Sequence, residues 1–330
     1  MSSAIDAVPI AYRIGQIDTL AKSLLASHTR YSPVMLAALA LHWLSRAWEQ
    51  YRQDRAITLG ASLIGAECAA ERNAFLTLLE RALCPREKPL TQAIRTVRKI
   101  AIRPMASEAA DAEAIVAAST DDLDAVLGTL DQATLPQAPL ERLLTLVDRF
   151  RYSSGDERDA LSATARTPCW AINLAAVALG SAFRLSETPL PFPGVVQRRL
   201  FRADRDAGER RTDGRESLLA ALHETACDIA RLPRAAEIFV REFPSPRSNS
   251  RLYLAWMLLF GLGGLTPAQL ARALPATKAG AAKLLRQLEA RHLAHAQGPF
   301  APFVCAITIP LALPDWRHET AFYAAWSSAS

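Results

Sequence analysis

One stretch, Leu265 to Ile309, limits the folds open to this chain more tightly than any other, because its start, stop and turn signals follow one another closely. Thr266 is a good helix N-cap, and Pro267 stands at the first helical position, where its missing N–H costs nothing. Leu270, Ala271 and Leu274 then fall on one face of that helix. Pro275-Ala276 stops it, and Thr277 caps a second helix. In the second helix Ala281, Leu284, Leu285 and Leu288 gather on one side, and Ala279, Ala282, Lys283, Arg286 and Gln287 on the other. The inner set can be buried on the first helix, whereas the outer set is short and basic. After Leu293 the period changes from helical to extended, Gly298-Pro299 marks a turn, and Phe303 to Ile309 is a β-rich run.

Helix, turn, helix, hairpin is the order of a winged helix, and the turn is short enough to pack the two helices across each other. The residues LTPAQLARAL and TKAGAAKLLRQLEARHLA resemble the winged helix-turn-helix of MarR-type regulators and the winged helices appended to Fic-type proteins. The resemblance covers roughly the last quarter of the chain. It implies that the helix from Thr277 is the recognition helix, that Gln297 to Pro302 is the wing tip, and that the partner is double-stranded DNA. The implied contacts are Thr277, Lys278, Ala279, Ala282, Lys283, Arg286, Gln287 and Gln297. The first turn of the recognition helix, Lys278-Ala279-Gly280-Ala281, departs from sequence-reading helices, which carry Ser, Thr, Arg, Asn or Gln there. Either the backbone comes very close to DNA, or this module binds protein.

Charge distribution agrees with a basic C-terminal module. The chain has 330 residues and a net charge of +5. Residues 1–150 carry 16 basic and 17 acidic groups, residues 151–249 carry 15 and 13, and residues 250–330 carry 7 and 3. A clustered positive excess is the electrostatic footprint of nucleic-acid binding. It is also compatible with a simple solubility role. Five cysteines, odd in number, widely spaced and without a CxxC pair, argue against a disulfide framework or a Cys-rich zinc site and fit a reducing cytoplasm. The N-terminus lacks the basic and apolar regions of a signal peptide. The longest apolar run, Leu252 to Leu265, has 14 residues, includes three Gly, and reads as a buried helix rather than a membrane span. The bias toward Ala, Arg and Leu fits a bacterial, GC-rich coding source.

The rest of the chain reads as helical. Ile14 to Arg55 is helical, with Ser32-Pro33 opening a helix whose buried stripe is Leu36, Leu39, Trp43 and Ala47, with Leu44 beside it. Ala56 to Leu83 continues as one or two helices. A basic segment, Arg86 to Arg103, precedes an acidic one, Ala106 to Leu135, and the two read as solvated faces packed against each other. Leu140 to Tyr152 is amphipathic. The run Trp170 to Phe183 is apolar nearly all round, as the central helix of a bundle would be. Ser186 to Gly194 is an extended Pro-rich loop. The segment from Gln197 to Arg215, with seven Arg and four acids, reads as an exposed, self-paired loop before a helix from Glu216 to Val240. Arg95, Arg98, Lys99, Arg198, Arg199 and Arg202 form a candidate second basic patch. Phe243 to Ser248 is the clearest linker. After the hairpin, a final helix capped by Asp315 presents Trp316, Tyr323 and Trp326 at helical spacing.

The expected fold is therefore all-α: a multi-helix N-terminal bundle followed by a C-terminal winged helix-turn-helix with a small β-hairpin as its only sheet. The expected domains are residues 1–138, residues 139–245, which can pack with the first as one domain, and residues 246–330. No nucleotide-binding, hydrolase, zinc-protease or Fic catalytic motif is present. His292 and His295 lack companions at zinc spacing, His42 and His223 read as helix core or boundary groups, and Glu224 with Asp228 alone makes no active site. No catalytic residue, metal or cofactor is expected. The expected function is that of a cytoplasmic DNA-binding protein, a transcriptional regulator or a plasmid or mobile-element protein, whose terminal aromatic helix either covers its own domain or pairs two copies as a homodimer. Two rivals are an interaction protein whose winged helix binds protein, and an enzyme housed in residues 1–245.

Overall fold

The computed structural model describes residues 2–26, 32–57, 62–83, 88–101, 105–150, 168–202, 204–244, 251–296, 298 and 301–306. The expected terminal helix with Trp316, Tyr323 and Trp326 lies outside the described residues, as does Gln297. Eleven α-helices, two short 3-10 turns and one small antiparallel sheet account for the described elements. The first six helices are α1 (Ser2–Ala26), α2 (Ser32–Asp54), α3 (Ala69–Ala82), α4 (Lys88–Ile100), α5 (Ala106–Leu130) and α6 (Pro139–Arg149). They are followed by α7 (Cys169–Ala178), α8 (Ala207–Glu242) and α9 (Leu252–Leu262). Then come β1 (Gly264–Leu265), α10 (Pro267–Ala273), α11 (Lys278–Glu289), β2 (Ala294–Ala296) and β3 (Phe303–Cys305).

Every residue of α7 is buried, as an apolar helix without a polar stripe requires. Around it Trp48 and Tyr51 of α2, Phe75 of α3 and Trp170 of α7 form an aromatic cluster with ring centroids 5.2–6.0 Å apart. Asn173 of α7 donates to Asp54 (2.7 Å) and the Val196 carbonyl (3.0 Å) and accepts from the Val196 N–H (3.1 Å). One buried amide thus pins the Pro-rich segment after α7 to the end of α2. Within that segment Phe192 is fully buried, as is Val195 just after it. One hydrophobic core runs from Ile10 to Ala294.

Helix α9 joins the C-terminal elements to this core. It packs on α2 at one side and on α11, β1 and β3 at the other. The approach to α2 requires glycine: a Cβ on Gly261 would lie 2.6 Å from the Ala38 carbonyl oxygen. Gly263 then ends the helix in the left-handed region, at φ +75. Trp256 adds a third contact by donating to the Ala235 carbonyl of α8 at 3.1 Å.

Four expectations change. The segment from Ala56 does not run on as helix; among the described residues no helix forms until α3 begins at Ala69, after Cys68 in the left-handed conformation. Among the described residues the basic and acidic segments do not pack face to face as a pair. Instead α3 bridges them: its Glu80 pairs with Arg98 of α4 (2.7 Å), and its Arg81 with Asp124 of α5 (2.6 Å). The Arg-rich segment is only half loop, because α8 starts at Ala207. Asp206 accepts from the Glu209 N–H (2.8 Å) and the Glu209 carboxylate accepts from the Asp206 N–H (3.1 Å), a capping box read in the sequence as turn punctuation. Finally, the sheet has three strands rather than a hairpin alone: β1 pairs with β3, and β3 with β2, all antiparallel.

Candidate nucleic-acid interface

The C-terminal helix pair forms as its local signals dictate. Thr266 accepts from the Gln269 N–H while the Gln269 side chain accepts from the Thr266 N–H (2.9 Å). Gln269 also donates to the Ile64 carbonyl (3.0 Å), which ties α10 to the segment before α3. Thr277 accepts from the Gly280 N–H at 3.0 Å and starts α11. Leu270, Ala281, Leu285 and Leu288 are fully buried, and Leu284 is half-buried.

The opposite side of α11 faces outward. Thr277, Lys278, Ala279, Lys283, Arg286 and Gln287 are exposed, and Ala282 is half-buried. Among the described residues, Lys278, Lys283 and Arg286 pair with no carboxylate. The one acid of α11, Glu289, accepts from the Ala296 N–H of β2 at 3.1 Å instead. A carboxylate that helical spacing places beside Arg286 is thereby attached to the sheet.

Residues 251–296 contain six cations, and the other three are turned to structural work. Arg272 donates to the Ile100 carbonyl at the end of α4 (Nε at 3.0 Å). Arg251 donates to the Leu274 and Pro275 carbonyls at 2.6 and 2.8 Å. The Arg291 guanidinium stands 5.8 Å from the Phe243 ring centroid. Sequence reasoning assigned none of these roles, since a carbonyl partner leaves no pattern in the sequence. Of the strand residues, His295 is exposed on β2 and Cys305 half-buried on β3.

The six residues of the candidate second patch are spread over two places. Arg95, Arg98 and Lys99 lie on α4, which packs on α2 and α10. Arg98 pairs with Glu80, whereas Arg95 and Lys99 are exposed and pair with no carboxylate among the described residues. Arg198, Arg199 and Arg202 lie at a short 3-10 turn, Arg198–Phe201, packed on α8 and α6. Arg198 caps the Asp54 carbonyl (Nε at 3.0 Å), Arg199 pairs with Asp213 and Glu216, and Arg202 pairs with Asp204.

Two buried polar clusters lie elsewhere in the helical body. Asp228 of α8 accepts from His42 (3.0 Å) and Arg46 of α2, with Arg231 at 3.6 Å. Burial pushes its carboxyl up, but the His42 hydrogen bond and the Arg46 charge outweigh that and hold it below its usual value. In the other cluster Asp54 faces Cys169 and Asn173, and burial raises both the Asp54 carboxyl and the Cys169 thiol. A thiol held protonated is a poor nucleophile, so this cluster reads as core hydrogen bonding. Among the described residues no group of three or more His, Cys, Asp or Glu side chains is arranged to hold a metal ion. No helix of the described residues is long and apolar enough to cross a membrane.

No protein-family model matches the chain, and no curated protein matches it.

Proposed function

We propose that the chain is a double-stranded-DNA-binding protein and that the outward face of α11 enters the major groove. The observation that carries this reading is the state of its cations. Among the described residues, Lys283 and Arg286 are exposed and meet no carboxylate, while Glu289 accepts from β2. Ala279, Gly280 and Ala282, before them on the helix, are small enough to let the helix lie deep while long side chains reach phosphates on either side. The order α9, β1, α10, α11, β2, β3, with β3 central in the sheet, supports a winged-helix reading, as does the resemblance to winged helix-turn-helix regulators. In this reading most of the affinity is electrostatic. The alanine methyls of α11 suit thymine methyls, so discrimination between sites is modest.

Fluorescence anisotropy of the full chain on random duplex, titrated with salt, tests the proposal. Affinity is expected to fall steeply as salt rises. Binding that is absent, or that is indifferent to salt, overturns it and leaves a protein-binding role for this helix pair.

A further inference from the structure

A cavity of about 520 Å³ lies between the helical body and the C-terminal helix pair. Its walls come from four helices. Leu41 of α2, Met257 and Leu258 of α9 and Leu274 after α10 make it apolar, and Gln92 and Thr96 of α4 add polar atoms. This size and lining are those of a small-molecule site. Among the described residues no Asp or Glu lines it, and the one charged group is Arg251. The larger groove beside Pro233, about 750 Å³, differs in carrying Glu237 as well as Arg234 and Arg241 in its wall.

Arg251 makes the first cavity more than a hole. Its Nη1 holds the Leu274 and Pro275 carbonyls, in the turn three and two residues before the Thr277 cap of α11. An arginine has five donors, and among the described residues its Nε and Nη2 have no partner. That free edge is the one that grips a carboxylate through two parallel hydrogen bonds.

We infer that this cavity is an effector site for a monocarboxylate with an apolar body, such as a medium-chain or aryl-alkyl acid. The apolar body fills the space between α2, α4 and α9. The carboxylate takes the Nε–Nη2 edge of Arg251, whose Nη1 stays on the turn. Occupancy therefore clamps the turn that sets the start of α11, and the ligand stiffens the helix pair from behind. The inference stands apart from the DNA reading, because binding and stiffening are both read without DNA.

Dodecanoate, kept below its micellar concentration, is the probe. Calorimetric titration of the full chain is expected to show saturable, stoichiometric binding, and dodecanol about tenfold weaker binding for want of the charge. Arg251→Gln should lose about tenfold in dodecanoate affinity and none in dodecanol affinity. Ala37→Phe, which places a ring in the cavity from α2, should abolish binding of both; circular dichroism and thermal unfolding establish that each variant is folded. Amide hydrogen exchange of α10 and α11 in the parent should slow on addition of dodecanoate. Absence of saturable binding, or undiminished binding by the folded Ala37→Phe variant, overturns the site. Equal affinity for acid and alcohol overturns the role of Arg251, and unchanged exchange overturns the coupling.

Discussion

The segment from Arg198 to Arg211 and helix α11 are both basic, yet their charges are in opposite states. In the first, Arg199 pairs with Asp213 and Glu216, Arg202 with Asp204 and Arg205 with Glu209, while Arg210 and Arg211 reach Asp148 and Glu141 of α6. In the second, Lys278, Lys283 and Arg286 meet no carboxylate among the described residues, and the single acid is attached to β2. The segment with more arginines therefore offers less free charge. What decides availability is whether an acid can reach the cation, either along the helix or from a neighbouring one. Exposed pairs add little stability in themselves, but they neutralise a surface that would otherwise attract phosphate.

The largest expected effect tests this contrast directly. Lys283→Ala with Arg286→Ala should nearly abolish DNA binding in anisotropy titrations, each replacement lowering the slope of log affinity against log salt by about 0.9, with the melting temperature unchanged. Arg199→Ala with Arg202→Ala should leave affinity and slope as in the parent. Equal losses from both pairs would break the distinction between free and self-neutralised charge. Next in size is the buried side of α11. Leu288→Ala should cost about 2–5 kcal/mol in urea unfolding, because the side chain is fully buried. Gln287→Ala, one position away and exposed, should stay within about 0.5 kcal/mol.

Two smaller effects probe α8, the helix behind the self-neutralised segment. Asp228→Asn should cost about 1–3 kcal/mol at neutral pH through lost charge-assisted hydrogen bonds. The folded carboxyl lies below its ordinary 3.8, so its contribution is complete above that value and is lost as pH falls through the lower folded one. The gap between parent and variant in urea unfolding should thus shrink as pH drops below about 4; a gap that widens there contradicts the assignment. Smallest is Asp206→Ala, which removes the N-cap of α8 and should cost about 1 kcal/mol by thermal unfolding. No measurable loss would mean that α8 begins after the arginines, as the sequence alone implied.

Legibility tracked the range of the forces involved. Thr266, Pro267 and Thr277 mark their helix starts within a few residues, so α10 and α11 and their buried and exposed faces were readable. The apolar run from Trp170 was readable for the same reason, since a helix without a polar stripe has only the core to enter, but its α-helix stops at Ala178 and Gly180–Phe183 forms a separate 3-10 turn. Asp206 and Glu209 carried an equally local signal that Gly208 obscured, because glycine is more often a turn residue than a first-turn helix residue. By contrast β1 is two residues long and exists only because β3 lies beside it. The bridging of α4 and α5 by α3 likewise depends on how helices pack rather than on any one segment.

The sequence by itself determined where the C-terminal helices begin and end, which of their faces is apolar, and that the helical body has an apolar centre. These follow from hydrogen bonds and periodicities that close within a turn or two of chain. Only the tertiary structure decided which arginines pair with acids among the described residues, that Arg251 lines a cavity, and that Glu289 accepts from the Ala296 N–H. A long, flexible, charged side chain chooses among all partners within its reach, and that set is fixed by packing between residues far apart in the chain.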